Sequence, residues 1–285
     1  MVRLAYSTNA YTRWPLEEAL ASIHRLGFDG VELLVDAPHL VPPVATTRAR
    51  EVRIELDRLG LAISNLNVNT SRALRAGALA KPACWAEGDP GPTLVSADPA
   101  ERAARLQYLL QAVALACDLG ATTMSVTSGP PDPRDGGEGR AWFVSALREI
   151  LRAAEAASVR VGIEYEPGFL VGDLASLSSV LREVDHPLLG ANLDLGHAQV
   201  VGDDPAGALR ALAGRVWNAH VEDIRGRVHH HLVPGEGEMD FAGIARAVVE
   251  TRYEGFLTVE LYTCADDPEG AGARAVRFLR DLLKT

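Results

Sequence analysis

The sequence predicts a single (β/α)8 barrel. Three observations carry this. Short β-rich runs alternate with longer helical ones over the whole length, eight such pairs can be counted, and 285 residues suit one barrel of roughly 250 plus insertions. Strands are expected to begin near Val2, Asp29, Leu61, Ala121, Val159, Leu188, Arg215 and Gly255. Amphipathic stretches lie between them, over 16–26, 46–59, 99–119 and 141–157, and a last helix is expected over 272–283. In the third stretch Leu106, Leu109, Leu110, Val113 and Cys117 recur at helical spacing. Junctions from helix to strand are short glycine turns, as in Leu26-Gly27-Phe28-Asp29 and Leu119-Gly120-Ala121. A doubly wound sheet also alternates, but it usually has fewer strands, and no GxGxxG follows the first strand here.

Two longer segments interrupt the alternation, at about 70–98 after the third strand and about 224–239 after the seventh. Both come after strands, which places them at the C-terminal face of a barrel, where active-site loops sit. At least one is expected to cover a substrate. No domain boundary, low-complexity tract or coiled coil appears in the chain.

Composition narrows the function. Apolar residues make up 47% and charged residues 23%, enough for a large core. The net charge of -10 disfavours nucleic acid as a partner, because such a surface repels phosphate backbones. Cys84, Cys117 and Cys264 form no CxxC pair, which fits a reduced compartment. Neither a signal peptide nor an apolar run of roughly 20 residues is found, so no membrane association and a cytoplasmic location are expected.

Alternation in the second-half strands points polar residues to one axis. In Val159–Glu164 the aliphatic set occupies alternate positions and Glu164 falls on the other face. In Phe256–Leu261, Leu257, Val259 and Leu261 would face the helices while Thr258 and Glu260 face inward. Asn218 and His220 share one face, as do Asn192 and Asp194. Three carboxylates and an imidazole aimed at one point repel each other unless a counter-charge sits between them. One divalent metal ion supplies it. The oxygen-rich set with one His favours Mn2+, Mg2+ or Co2+, with Fe2+ and Zn2+ also compatible.

On these residues the chain resembles the xylose isomerase-like TIM barrels, which include sugar and sugar-phosphate isomerases and epimerases. The matching motifs are Gly30-Val31-Glu32-Leu33, Gly162-Ile163-Glu164, Leu193-Asp194-Leu195-Gly196-His197, His220-Val221-Glu222-Asp223, Pro234-Gly235-Glu236-Gly237 and Val259-Glu260-Leu261. They run in the family's order over nearly the whole chain. The resemblance implies Glu164, Asp194, His220 and Glu260 as metal ligands and His197 as a residue that contacts substrate or orients a hydroxyl. Glu32 is expected as a further inward carboxylate at the mouth, binding substrate hydroxyls or pairing with Arg225 or Arg227. The family's ketose 3-epimerases carry an arginine six residues after the ligand His, where this chain has Gly226 between Arg225 and Arg227. In endonuclease IV-like members, positions like His229 and His231 bind an additional zinc. Those members also need histidines on strands two and three, where this chain offers Glu32, Asn65, Asn67 and Asn69. A trinuclear cluster is therefore not expected, although His39 beyond strand two is a possible imidazole. The His229–His231 run is expected as a solvated loop or as one substrate-binding His.

These expectations combine into an isomerase or epimerase of a small polyhydroxylated substrate, working through an enediolate. Glu164 and Glu260 are the expected base and acid, with Glu166 as the alternative base. Asn65, Asn67, Asn69, Ser125, Thr127 and Trp85 are candidates to line the polyol pocket, joined by Arg225 and His231. The alternatives are a dehydratase or lyase of an inosose- or dehydroshikimate-like compound, a phosphodiester-cleaving nuclease, and a non-catalytic sugar-binding barrel. A homodimer is expected by analogy with barrels of this type.

Overall fold

Strands whose aliphatic residues fall at alternate positions need an apolar cover, and the helix after each one supplies it. In the computed structural model, which describes residues 2–75 and 91–284, eight parallel strands close into a barrel. They are β1 (Arg3–Ser7), β2 (Gly30–Leu34), β3 (Ala62–Asn67), β4 (Thr123–Val126), β5 (Arg160–Ile163), β6 (Leu189–Asp194), β7 (Val216–Val221) and β10 (Phe256–Val259). The order round the ring is β1-β10-β7-β6-β5-β4-β3-β2. Each strand begins one or two residues after its expected start.

The helices are α1 (Leu16–Arg25), α2 (Thr46–Leu59), α3 (Pro99–Leu119), α4 (Gly139–Ala157), α5 (Leu174–Val184), α6 (Leu195–Val201), α7 (Pro205–Ala211), α8 (Phe241–Glu250) and α9 (Pro268–Leu282). The last begins before residue 272 because Asp267 caps it. Its side chain accepts from the Gly270 N–H, and Pro268 occupies the first turn, where a missing N–H costs nothing. None of the described helices is long and apolar enough to cross a membrane.

The segment at 224–239, expected as a loop, contains most of a two-stranded antiparallel hairpin, β8 (Asp223–Arg225) and β9 (Val228–Leu232). Gly226 turns it at a φ of 61°, where a side chain would be strained. One carboxylate organises the hairpin and the loop beyond it. Asp223 accepts from the backbone N–H groups of Ile224, Gly235, Gly237 and Met239 at 2.8–3.1 Å. Much of the other insertion, residues 76–90, lies outside the described residues.

The apolar core is an annulus. Val161, Ile163, Leu193, Ala219, Val221, Leu257 and Val259 are fully buried between the strands and the surrounding helices. Inside the ring the packing is polar. Asn218 donates to Asn192 Oδ1 at 2.8 Å, Thr258 donates to Asn218 Oδ1 at 2.7 Å, and Asn65 donates to Ser125 Oγ at 3.0 Å. Each of these side chains has a neighbour to bond, which makes its burial tolerable. Gly162 is required there, since a Cβ would lie 2.7 Å from the Asn192 backbone nitrogen.

Candidate active site

At the C-terminal ends of four strands the inward positions carry ionisable groups. Glu164 comes directly after β5 and Glu260 directly after β10. Asp194 closes β6, and His220 lies near the end of β7. All four are buried, and each offers one ligand atom within 4.8 Å of the others. His220 Nδ1 lies 3.2 Å from Glu164 Oε2, 3.4 Å from Glu260 Oε2 and 3.6 Å from Asp194 Oδ2.

A second ring of side chains holds these four in place. His220 Nε2 is 2.7 Å from Glu32 Oε2. With that N–H donated to Glu32, the Nδ1 lone pair faces the three carboxylates, the tautomer a metal ligand needs. Asn65 and Asn67 fix Glu32 at 2.8 and 3.0 Å. Glu260 Oε1 accepts from Asn9 at 2.8 Å and Asn67 at 3.0 Å, and Glu164 Oε2 accepts from Asn69 at 2.9 Å and from Asn192. Asp194 also caps α6, its Oδ1 accepting the His197 N–H at 2.7 Å.

Asp194 Oδ2 is buried and has no hydrogen-bond partner among the described residues. An orphaned carboxylate oxygen facing two more carboxylates and an imidazole lone pair fits a divalent cation in an oxygen-rich pocket. The titration behaviour reflects the crowding. Burial, reinforced by Glu164 and Asp194, raises the Glu260 carboxyl well above the usual range. Burial opposes ionisation of Asp194 as well, but His197 and His220 hold its carboxyl well below that range.

Glu222, two residues after His220, is fully buried with neither oxygen partnered among the described residues. Burial and the neighbouring Asp194 raise its carboxyl well above the usual range. Gly196 makes room for it, since a Cβ there would overlap Glu222 Oε1.

His197 stands beside the four. Its Nδ1–H donates to the Tyr165 carbonyl at 2.9 Å, and its Nε2 lies 3.6 Å from both Glu166 Oε2 and Asp194 Oδ2. Burial lowers the imidazole, but Asp194, Glu166 and Glu164 outweigh it and raise His197 to about 9. Burial pushes the Glu166 carboxyl up to about 7. His197 Nε2, His229 Nε2 and His231 Nε2 form a chain with 2.9 Å between neighbours.

Above the four opens a cavity of about 700 Å³ whose wall includes Glu164, Glu260, Asn67, Glu166, His197 and His229. Not every expected residue reaches it. Glu32 lies beneath the site rather than at the mouth, because a bond to His220 claims its carboxylate. Arg225 is exposed on the hairpin and donates to the Glu236 carbonyl at 2.7 Å. His231 sits behind His229, its Nδ1–H donating to the Glu260 carbonyl at 2.9 Å. The triplet is thus part of a strand, not a solvated loop. His39 bonds Thr8 Oγ1 and the Trp14 carbonyl, apart from the carboxylates. Trp85 lies outside the described residues. Asn9 and Glu222 were missed as site residues. Asn9 sits in a 3-10 turn where no period marks it, whereas Glu222 comes after His220 by the same two-residue step.

A profile of the xylose isomerase-like TIM barrel family matches residues 20–282. The chain belongs to this family. Within it, the chain is 25% identical over 266 residues to L-ribulose-5-phosphate 3-epimerase UlaE of Shigella flexneri serotype 5b, covering 92% of this chain and 88% of that one. It is 28% identical over 151 residues to 3-dehydroshikimate dehydratase of Pseudomonas putida, covering 50% of this chain and 24% of the dehydratase. An uncharacterized protein of Methanocaldococcus jannaschii is 30% identical over 122 residues, 41% of each chain. Among solved structures, a D-tagatose 3-epimerase-like protein superposes with a TM-score of 0.80 at 20% identity, over 99% of this chain and 97% of that one. At that identity the likeness bears on the xylose isomerase-like fold alone.

Proposed function

We propose that this chain is a divalent-metal-dependent epimerase or isomerase of a small polyhydroxylated carbonyl compound: a sugar, a sugar phosphate or a cyclitol. The observation that carries the reading is the buried set of Glu164, Asp194, His220 and Glu260 at the floor of an open cavity. A divalent cation held by these four would supply Lewis-acid polarisation of a substrate carbonyl and stabilise the enediolate charge, with Mn2+, Mg2+ or Co2+ best suited to the donors.

The chain's own residues handle the protons. Glu164 and Glu260 reach the cavity from β5 and β10, so one serves as base and the other returns a proton to the opposite face. Return to the same carbon gives epimerisation, and return to the neighbouring carbon gives isomerisation. Glu166 supplies a base outside the ligand set, with His197 Nε2 3.6 Å away to orient a hydroxyl or relay its proton. The resemblance to L-ribulose-5-phosphate 3-epimerase over 92% of the chain supports this reading. The similarity to 3-dehydroshikimate dehydratase favours a second one, in which the same deprotonation ends in β-elimination when a leaving group is present.

Solvent-deuterium incorporation tests both. The Mn2+-loaded protein is incubated in D2O with ketoses, aldoses, inososes and their phosphates, and read by NMR beside Glu260→Ala. The expected result is metal-dependent C–H exchange that the variant loses, with product connectivity separating epimerase, isomerase and dehydratase. Metal-loaded protein that exchanges no C–H on any substrate would overturn the proposal.

A further inference from the structure

The far end of the barrel carries the opposite charge. Counting down β5 from Glu164 in steps of two, the inward positions are Gly162 and then Arg160. From Glu260 along β10 they are Thr258 and then Phe256. Arg3 opens β1 in register with Phe256, and Arg160 is in register with Thr123. Around them lies a cavity of about 660 Å³ that shares no lining residue with the catalytic one. Arg53 from α2 and Arg252 from the turn before β10 add two more guanidiniums to its wall. Among the described residues its carboxylates are Asp57 and Glu254.

None of these four arginines has an ion-pair partner among the described residues. By contrast, Arg58 and Arg210 on the adjoining helices are paired with Glu55 and Glu250. Two of the four are held by aromatic rings. The Arg3 guanidinium stands 3.9 Å from the Phe256 ring centroid and that of Arg160 5.0 Å from Trp217, and Arg160 also donates to Thr123 Oγ1 at 3.3 Å. A guanidinium held by a ring face keeps its N–H edges available as a fork for oxyanions. Ser64, Thr122 and Thr251 are part of the same wall. In a chain of net charge -10, four cations gathered in one concavity without paired counter-charges repel each other, and an anion relieves that repulsion.

We propose that this lower mouth binds a compact, multiply charged anion of the di- or triphosphate class, at a site remote from the catalytic cavity. One guanidinium fork can bind one phosphoryl group through two N–H bonds, so four exceed what a single phosphate takes up and match a ligand with two or three.

The test is calorimetric titration of the full chain with inorganic triphosphate, without added divalent metal, which triphosphate would itself chelate. A chloride reference at equal ionic strength is run beside it, and Trp217 fluorescence serves as the local reporter. The expected result is saturable 1:1 binding with a change in that fluorescence. Both Arg53→Gln/Arg252→Gln, at exposed positions that leave the fold intact, and Arg3→Gln/Arg160→Gln should weaken binding by roughly tenfold or more. His197→Gln in the catalytic cavity should leave it unchanged. Binding that survives both arginine pairs, binding lost in His197→Gln, or no saturable heat beyond chloride would each overturn the proposal.

Discussion

His220 has two ring nitrogens, and the site gives each a different task. Glu32 takes the Nε2–H, and the carboxylates of Glu164, Asp194 and Glu260 surround Nδ1. We therefore assign to Glu32 the fixing of a tautomer and a ring orientation, with Asn65 and Asn67 fixing Glu32 in turn. Replacing Glu32 by Gln keeps the volume and removes the charge that holds the proton on Nε2. We expect this to weaken Mn2+ binding by roughly 10–100-fold while far-UV dichroism stays the same. Affinity for Mn2+ equal to that of the unaltered protein would sink this assignment. The identity of Glu32 as a carboxylate on an inward strand face was readable in the sequence. Its partner was not, because closure of the barrel brings His220 to it across the interior from 188 residues away.

At the scale of elements, the barrel strands declared themselves through a period of two, and the four proposed ligands came with them. The β8–β9 hairpin did not. Val228-His229-His230-His231-Leu232 offers no alternation of apolar and polar residues, and the segment is shaped by a single carboxylate satisfying four backbone N–H groups. That bonding pattern is a tertiary property of Asp223, invisible in its neighbours in sequence. Substituting Asp223 by Ala would leave the Gly235, Gly237 and Met239 amides without their acceptor. Amide exchange at these three positions should then speed up by about tenfold or more, with thermal stability reduced by roughly 1–3 kcal/mol. Unaltered protection factors there would show that the loop holds itself without Asp223.

For the molecule as a whole, acid stability offers a separate check. His39 is packed between Thr8 and the Trp14 carbonyl, and burial lowers its imidazole to about 4. In the unfolded chain the same ring titrates near its ordinary value of about 6.5. Between these two values the unfolded chain takes up a proton that the folded chain refuses. Stability is therefore unaffected above about 6.5 and falls as pH drops through the window, by up to roughly 3 kcal/mol. Urea unfolding at pH 7.5 and pH 4.5 should show a smaller loss for His39→Gln than for the unaltered protein. An equal loss in both would assign the acid sensitivity to other groups.

Because the aliphatic packing is confined to the ring between strands and helices, the side chains lining the axis are released from holding the fold together. An Asn, Ser or Thr there bonds its polar neighbours across the axis and not the helices, so a replacement that keeps those hydrogen bonds leaves the aliphatic annulus untouched. Durability and reactivity are thereby governed by two concentric sets of residues. A lineage built on this plan can revise its chemistry from the inside while its outer shell stands still.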